Sequence, residues 1–296
     1  MVRRCLAMLL GLVQLAAAPA LAAAPVPPAP DTIVSGSFQL PDRQPWAGEV
    51  FTLGIVWRVD WDQFRYLDGD LAWKPDPLVT EGWTRLPLAP PLAQGGRTVA
   101  DLAFTTRAIA LTPGTVQLPP PARQMQIVTG SYETSGVTIA TIGPVMATGA
   151  GARLAVRALP PAPAGFGGAV GDFTLKSALD VQGGEVGKPI VWTVTLSGTG
   201  NWMGFDGIPS RPLPRAFDLL GAPKRGNGAA DSLFERTMTE AITIVPRTPG
   251  RFSLGPVDLV VFDPRAGAYR TVVAPAVEIS IAPAARRSSP RKSRKP

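Results

Sequence analysis

The sequence predicts an all-β protein made of two tandem immunoglobulin-like β-sandwich domains, a barrel being the alternative that periodicity does not separate, and three observations lead there. Short apolar stretches alternate with period two, and no long amphipathic helix can be traced. The 33 prolines and 31 glycines are spread between those stretches, as turn residues are in a protein of many short strands. The two halves also carry matching tripeptides. Gly48-Glu49-Val50 and Gly184-Glu185-Val186 lie 136 residues apart, as do Thr112-Pro113-Gly114 and Thr248-Pro249-Gly250. Tyr132-Glu133-Thr134 and Tyr269-Arg270-Thr271 fall at 137, a drift that a loop insertion explains. With 296 residues, 45% of them hydrophobic, the chain is long enough for two units and too apolar for general disorder.

Taken in order, Met1 to Ala24 reads as a secretory signal. Arg3 and Arg4 precede an apolar run through Leu9, Leu10, Leu12 and Val13, and Ala20-Leu21-Ala22 supplies a small-x-small cleavage site, with cleavage after Ala22 or Ala23. Gln14 and Pro19 interrupt the run, which argues against an uncleaved anchor. Cys5 is the only cysteine and lies in this leader, so the mature chain has no disulfide framework. A proline-rich start, residues 25–30, leads into the first domain, residues 31–158.

In that domain, Val50 to Val59 and Ala100 to Leu111 read as strands, the second ending at the turn Thr112-Pro113-Gly114. Between them, Trp57 to Trp83 holds four of the seven tryptophans and five aspartates. Asp68-Gly69 between Phe64-Arg65-Tyr66-Leu67 and Leu71-Ala72-Trp73 is a hairpin signal, because a tight hairpin turn demands positive φ. Asp60, Asp62, Asp68 and Asp70 do not have the twelve-residue spacing of a calcium loop, and no glutamate closes one. No metal or other cofactor is expected. Trp61, Tyr66 and Trp73 are either core and strand-face residues or a platform for sugar rings, the first being the usual role of such side chains.

Residues 159–170 read as a Pro/Gly linker. Pro160, Pro161 and Pro163 favour extended backbone, and Gly165, Gly167 and Gly168 allow turns. Val170 stands where a dinucleotide-binding G-x-G-x-x-G would need its last glycine, and the stretch opens a strand, not a helix. The second domain, residues 171–283, alternates cleanly. Phe173, Leu175 and Leu179 start it; Trp192, Val194 and Leu196 form one face of the next strand. Phe234, Met238, Ile242 and Ile244 continue the pattern, which Arg236 and Glu240 break. Asp258 to Phe262 and Val277, Ile279 and Ile281 supply further strands, the loop Asp263-Pro264-Arg265-Ala266-Gly267 between them being rich in turn formers.

The net charge of +7 is concentrated at the ends. Without the two leader arginines and the tail cations Arg286, Arg287, Arg291, Lys292, Arg294 and Lys295, the body carries −1. A near-neutral body lacks the basic face that nucleic acid requires, so none is expected as a partner. The tail, residues 284–296, has no anion to pair with and no apolar residue to insert. It is expected to be disordered and to touch an anionic membrane surface electrostatically.

Three stretches resemble one family: Leu159 to Asp180, Ser197-Gly198-Thr199-Gly200-Asn201-Trp202, and Val245 to Val272. Together they are similar to the aerotolerance protein BatD family, with the likeness strongest across the second domain. The resemblance implies an exported, periplasmic protein with tandem immunoglobulin-like domains. It also implies a non-enzymatic binding or scaffold role beside von Willebrand A-domain membrane proteins and a MoxR-type ATPase, in stress or oxygen tolerance. No catalytic residue is implied. Family members usually continue into a transmembrane helix, whereas a basic tail follows Ile281 here; a short form, peripheral at the membrane, is expected.

Alternatives follow from residue types. The absence of histidine, and of cysteine after the leader, removes the commonest general base and the thiolate nucleophile, which leaves carboxylate pairs. Asp60 with Asp62 is the nearest glycoside-hydrolysing candidate. A carbohydrate-binding module and a chaperone-like protein that works by strand addition are the other readings. For a von Willebrand A-domain partner, Asp68 and Asp70 at a turn tip are the expected contact, since a carboxylate there could complete a partner's metal site.

Overall fold

The computed structural model describes residues 34–69, 71, 73, 76–205, 207–228 and 232–285. The predicted signal segment, the proline-rich start and the basic tail from Arg286 onward lie outside them. Among the described residues there is no helix, hence none long and apolar enough to cross a membrane.

The first unit comprises β1 (Val34–Gln39), β2 (Phe51–Asp60), β3 (Phe64–Leu67), β4 (Leu78–Thr80), β5 (Thr84–Arg85), β6 (Leu92–Gln94), β7 (Arg97–Ala110), β8 (Gly114–Leu118), β9 (Ala122–Thr134), β10 (Val137–Thr148) and β11 (Ala152–Val156). One sheet runs β1-β2-β7-β4, with β5 and β6 also pairing with β7; the order β10-β9-β3 and the pair β11-β8 make up the rest. β2 forms the centre because every second residue is apolar. Leu53, Ile55, Trp57 and Val59 are fully buried, while Thr52 and Arg58 on the opposite face are exposed. Leu102 and Phe104 from β7, Met125 and Ile127 from β9, and Leu154 and Val156 from β11 close the core from the other strands. Each such side chain contributes roughly 1.5–3 kcal/mol through its removal from water.

The second unit comprises β12 (Phe166–Leu179), β13 (Gly183–Glu185), β14 (Ile190–Gly200), β15 (Phe217–Leu219), β16 (Lys224–Asn227), β17 (Glu235–Pro246), β18 (Gly250–Leu254), β19 (Val257–Asp263), β20 (Ala268–Ala274) and β21 (Val277–Ala282). Its central run is β15-β17-β14-β12, with β16 on β17; β19-β20 and β13-β21-β18 face it. Both units are immunoglobulin-like β-sandwiches. β12 serves both sheets. Phe166 and Val170 run parallel to β19, after which Gly171 to Leu179 run antiparallel to β14. The crossing point needs Gly171, whose φ is +144° and where a Cβ would stand 2.3 Å from the Thr199 carbonyl oxygen. The strand therefore opens at Phe166, inside the stretch read as linker.

Arg211 and Glu240 explain the break in the β17 pattern. Glu240 points to the same side as Ile242 and Ile244, and both members of the pair are buried. Arg211 donates to the Glu240 main-chain oxygen at 2.8 Å and lies over the Trp192 ring. Burial draws its guanidinium below the ordinary value, against the pull of Glu240. Arg225 binds the second carboxylate oxygen at 2.9 Å.

The two units share one strand order: β1, β2, β7 and β4 correspond in order to β12, β14, β17 and β15. The tripeptide matches fare differently. Gly114 and Gly250 do occupy the same place, each opening a strand paired with the unit's last. The Gly-Glu-Val match is out of register. Gly48 donates to Ala110 and Gly187 to Pro246, both glycines at φ +80°; Glu49 donates to Trp46 as Lys188 does to Glu185. The equivalent of Gly48 is thus Gly187, and Gly184 sits three residues early. The tyrosine match fails outright: Tyr132 lies in β9, before the hairpin turn, and Tyr269 in β20, after it.

Candidate binding surface

The aspartate-rich stretch does not build the predicted hairpin. Among the described residues β3 pairs with β9, and Leu71 and Trp73, which follow it, are drawn into the core. Asp68 is accordingly not a free tip: its carboxylate accepts from the Gln124 and Gln126 side chains at 3.1 and 2.6 Å. Asp70 lies outside the described residues, as do the tail cations. Asp60 and Asp62 form no facing carboxylate pair, since Asp60 accepts the Asp62 main-chain N–H at 3.1 Å in a local turn. Trp73 is core, donating to the Pro119 carbonyl at 3.1 Å and meeting Trp83 edge-on. Trp61 is half-buried against Phe64, which leaves Tyr66 as the exposed ring of the three. A sugar platform is not assembled from them.

What the sequence reading passed over is the hairpin of β9 and β10. Its turn is Ser135-Gly136, both at positive φ (50° and 74°), between the paired residues Thr134 and Val137. That is the two-residue turn whose twist suits a hairpin. From Gly130 to Ile142 every residue is exposed, so the outer part of the hairpin is an arm projecting from the sandwich. Tyr132 and Ile139 face each other across it, and Val137 lies on the same side of β10 two residues away. Tyr132 is 55% exposed and Val137 59%, so the pair leaves apolar surface in water on one face of the arm. A Thr129 bulge, where the register shifts between Thr141 and Ile142, bends the arm at the point where it leaves the core. The available signal was the alternation of Val137, Ile139, Thr141 behind a Ser-Gly turn.

Among the described residues, two contacts tie the units together. Trp46, Val170 and Phe262 are buried against one another, with Phe166 and Tyr269 beside them. Arg157 lies over the Trp46 ring at 3.6 Å, and Tyr269 donates to the Pro160 carbonyl at 2.8 Å. The second contact is polar. Glu81, after β4, accepts from Arg107 at 2.7 Å, from the Ser232 hydroxyl at 2.5 Å and from the Leu233 N–H at 2.8 Å. Burial pushes the Glu81 carboxyl up, but those three donors outweigh it and hold it below the ordinary value. A recess of about 170 Å³ between the units, reached by Asp172, Asp263 and Arg265, is smaller than small-molecule sites usually are.

No protein-family profile matches this chain, and no curated protein matches it. Among solved structures it is similar to FdeC, described as an Escherichia coli adhesin, at 13% identity over 84% of this chain and 96% of that one. The TM-score is 0.19, a likeness too slight to carry any argument about function.

Proposed function

We propose that the chain is a non-enzymatic binding and scaffold protein of the cell envelope, of BatD type, and that it is exported to the periplasm. In this reading it acts with von Willebrand A-domain membrane proteins and a MoxR-type ATPase in stress or oxygen tolerance. The observation that carries it is the β9–β10 arm, which presents exposed Tyr132, Val137 and Ile139 on a two-stranded ribbon. A ribbon that holds three apolar side chains in water on one face and contributes nothing to the core has the signature of a contact element. The two inter-unit contacts hold the arm in fixed relation to the second sandwich, as a scaffold requires.

The test is capture from membranes with the tagged chain, beside a variant in which residues 131–140 are replaced by a two-residue turn. The intact chain should retain a von Willebrand A-domain protein, and the shortened one should lose roughly tenfold or more of it, equivalent to 1.4 kcal/mol or more. Equal recovery by both would refute the arm as the contact.

A further inference from the structure

We propose that the outer edge of β10 pairs antiparallel with the same edge of a second copy of this chain, centred on Ala140. The inference rests on the reading of the arm as a contact element and names what one of its edges holds.

Which main-chain groups face that edge follows from β9. The Val128 N–H is donated to Gln63, and the Gln124 carbonyl accepts from Asp68, so both residues turn their main-chain groups toward β3. Their partners across the ladder, Ile142 and Met146, therefore turn theirs away from β9. Pro144 shares that orientation, where its missing N–H costs no ladder bond. At the other end the tight turn makes Thr134 and Val137 a bonded pair, which gives Thr138 and Ala140 the same outward sense as Ile142. Among the described residues no strand pairs with this edge.

Strand edges of this kind are ordinarily blunted with charge, yet none of the twelve residues of β10 is charged. An uncharged edge gives no electrostatic selection for a foreign strand, and it raises no repulsion against itself. Centred on Ala140, the pairing sets Thr138 against Ile142 of the second copy, Ala140 against Ala140, and Ile139 against Thr141. Each of Thr138, Ala140 and Ile142 then exchanges both main-chain bonds with its counterpart. β-branched residues opposite threonine suit a sheet face. The ladder ends where it should: Pro144, with no N–H to give, falls opposite Gly136 in the turn of the other copy. All five residues, 138–142, lie in the fully exposed part of the arm, so neither sandwich obstructs the approach. The result is an isologous dimer with a continuous sheet through both arms.

The experiment uses protein recovered from the cell envelope with Cys5→Ser as background. Sedimentation velocity over a roughly hundredfold concentration range in the micromolar regime should show a monomer passing to a dimer. Ala140→Pro should remain monomeric throughout and keep its circular dichroism, since the N–H it removes makes no bond within the arm. In the same background Ala140→Cys should oxidise to a covalent dimer, because directly opposed strand residues lie within disulfide reach. Ser131→Cys, across the hairpin on β9, should not. A chain that stays monomeric at every concentration, or a dimer that survives Ala140→Pro and does not cross-link through Ala140→Cys, overturns the proposal. Capture of the membrane partner, run in parallel, separates the two ideas. A monomer that captures the partner through its arm removes self-pairing and leaves the scaffold reading standing.

Discussion

The two sandwiches share a strand order and differ in what they do with one hairpin. In the second unit β19 and β20 are short, and their side chains turn to the junction: Phe262 meets Trp46 edge-on, and Tyr269 meets both Phe262 and Phe166. Arg270 in β20 is paired with Asp172 at 2.9 Å and with Asp263 at 3.4 Å, which places charge on that edge. In the first unit the corresponding strands, β9 and β10, run to thirteen and twelve residues, beyond any surface that could bury them. The outer strand of one hairpin, β20, carries Arg270 beside the junction, whereas that of the other, β10, is uncharged and projects into solvent. Duplicated frames teach most where they part, because the shared strands are accounted for by folding alone.

The sharpest way to break the comparison is through the cores, where the units should behave alike. Trp57→Ala and Trp192→Ala each empty a fully buried position in an equivalent strand, β2 or β14, and each should cost about 3–5 kcal/mol in denaturant unfolding. If one is tolerated, the two sandwiches are not equivalent in their centres.

The junction comes next. Trp46→Ala removes the buried ring that Phe262 and Arg157 cover, and a loss of about 2–4 kcal/mol is expected. Calorimetry should then resolve two transitions where one is expected of the intact chain; a single transition in both would mean that the apolar contact does not couple the units.

The polar contact is smaller and depends on pH. Hydrogen bonds to a charged group contribute about 1.5–3 kcal/mol, and Glu81→Gln keeps the shape while weakening them, so about 1–2 kcal/mol should be lost at neutral pH. In the folded chain Glu81 lies below its ordinary value of 4.5. Its contribution is therefore complete above that value and disappears as pH falls through the lower, folded one. Acid titration of stability should be shallower in the variant, and superimposable acid limbs would show that Glu81 does not titrate against the junction.

At the small end, Tyr132→Ser on the arm should change stability by less than about 0.5 kcal/mol while reducing partner capture. A loss of several kcal/mol would mean that the arm is folded onto something. Removal of residues 286–296 should leave unfolding unchanged and abolish low-salt sedimentation with anionic liposomes, each cation contributing roughly 1 kcal/mol at most near such a surface. Equal sedimentation of the two chains would remove the membrane contact.

The alternation of Trp192, Val194 and Leu196 and of Phe173 and Leu175 was legible because a period of two survives wherever one sheet face is buried. The aspartate stretch misled for the opposite reason. Asp68-Gly69 has the turn chemistry of a hairpin, but β9 offered β3 a ladder and the core claimed Trp73, and both outweigh a local turn preference. Glu240 interrupts the apolar face of its strand because Arg211, 29 residues away in sequence, lies against it.

By itself the sequence determined the fold class and most core faces, since those follow from periodicity and from residues that make turns. Tertiary structure alone decided the register of the repeat, moving the equivalent of Gly48 from Gly184 to Gly187, because only paired hydrogen bonds distinguish a true match from a chance one. It alone also decided that β9 and β10 outrun the sandwich. Alternation reads the same in a strand that is covered and one that is not, and exposure is a property of what the rest of the chain places alongside.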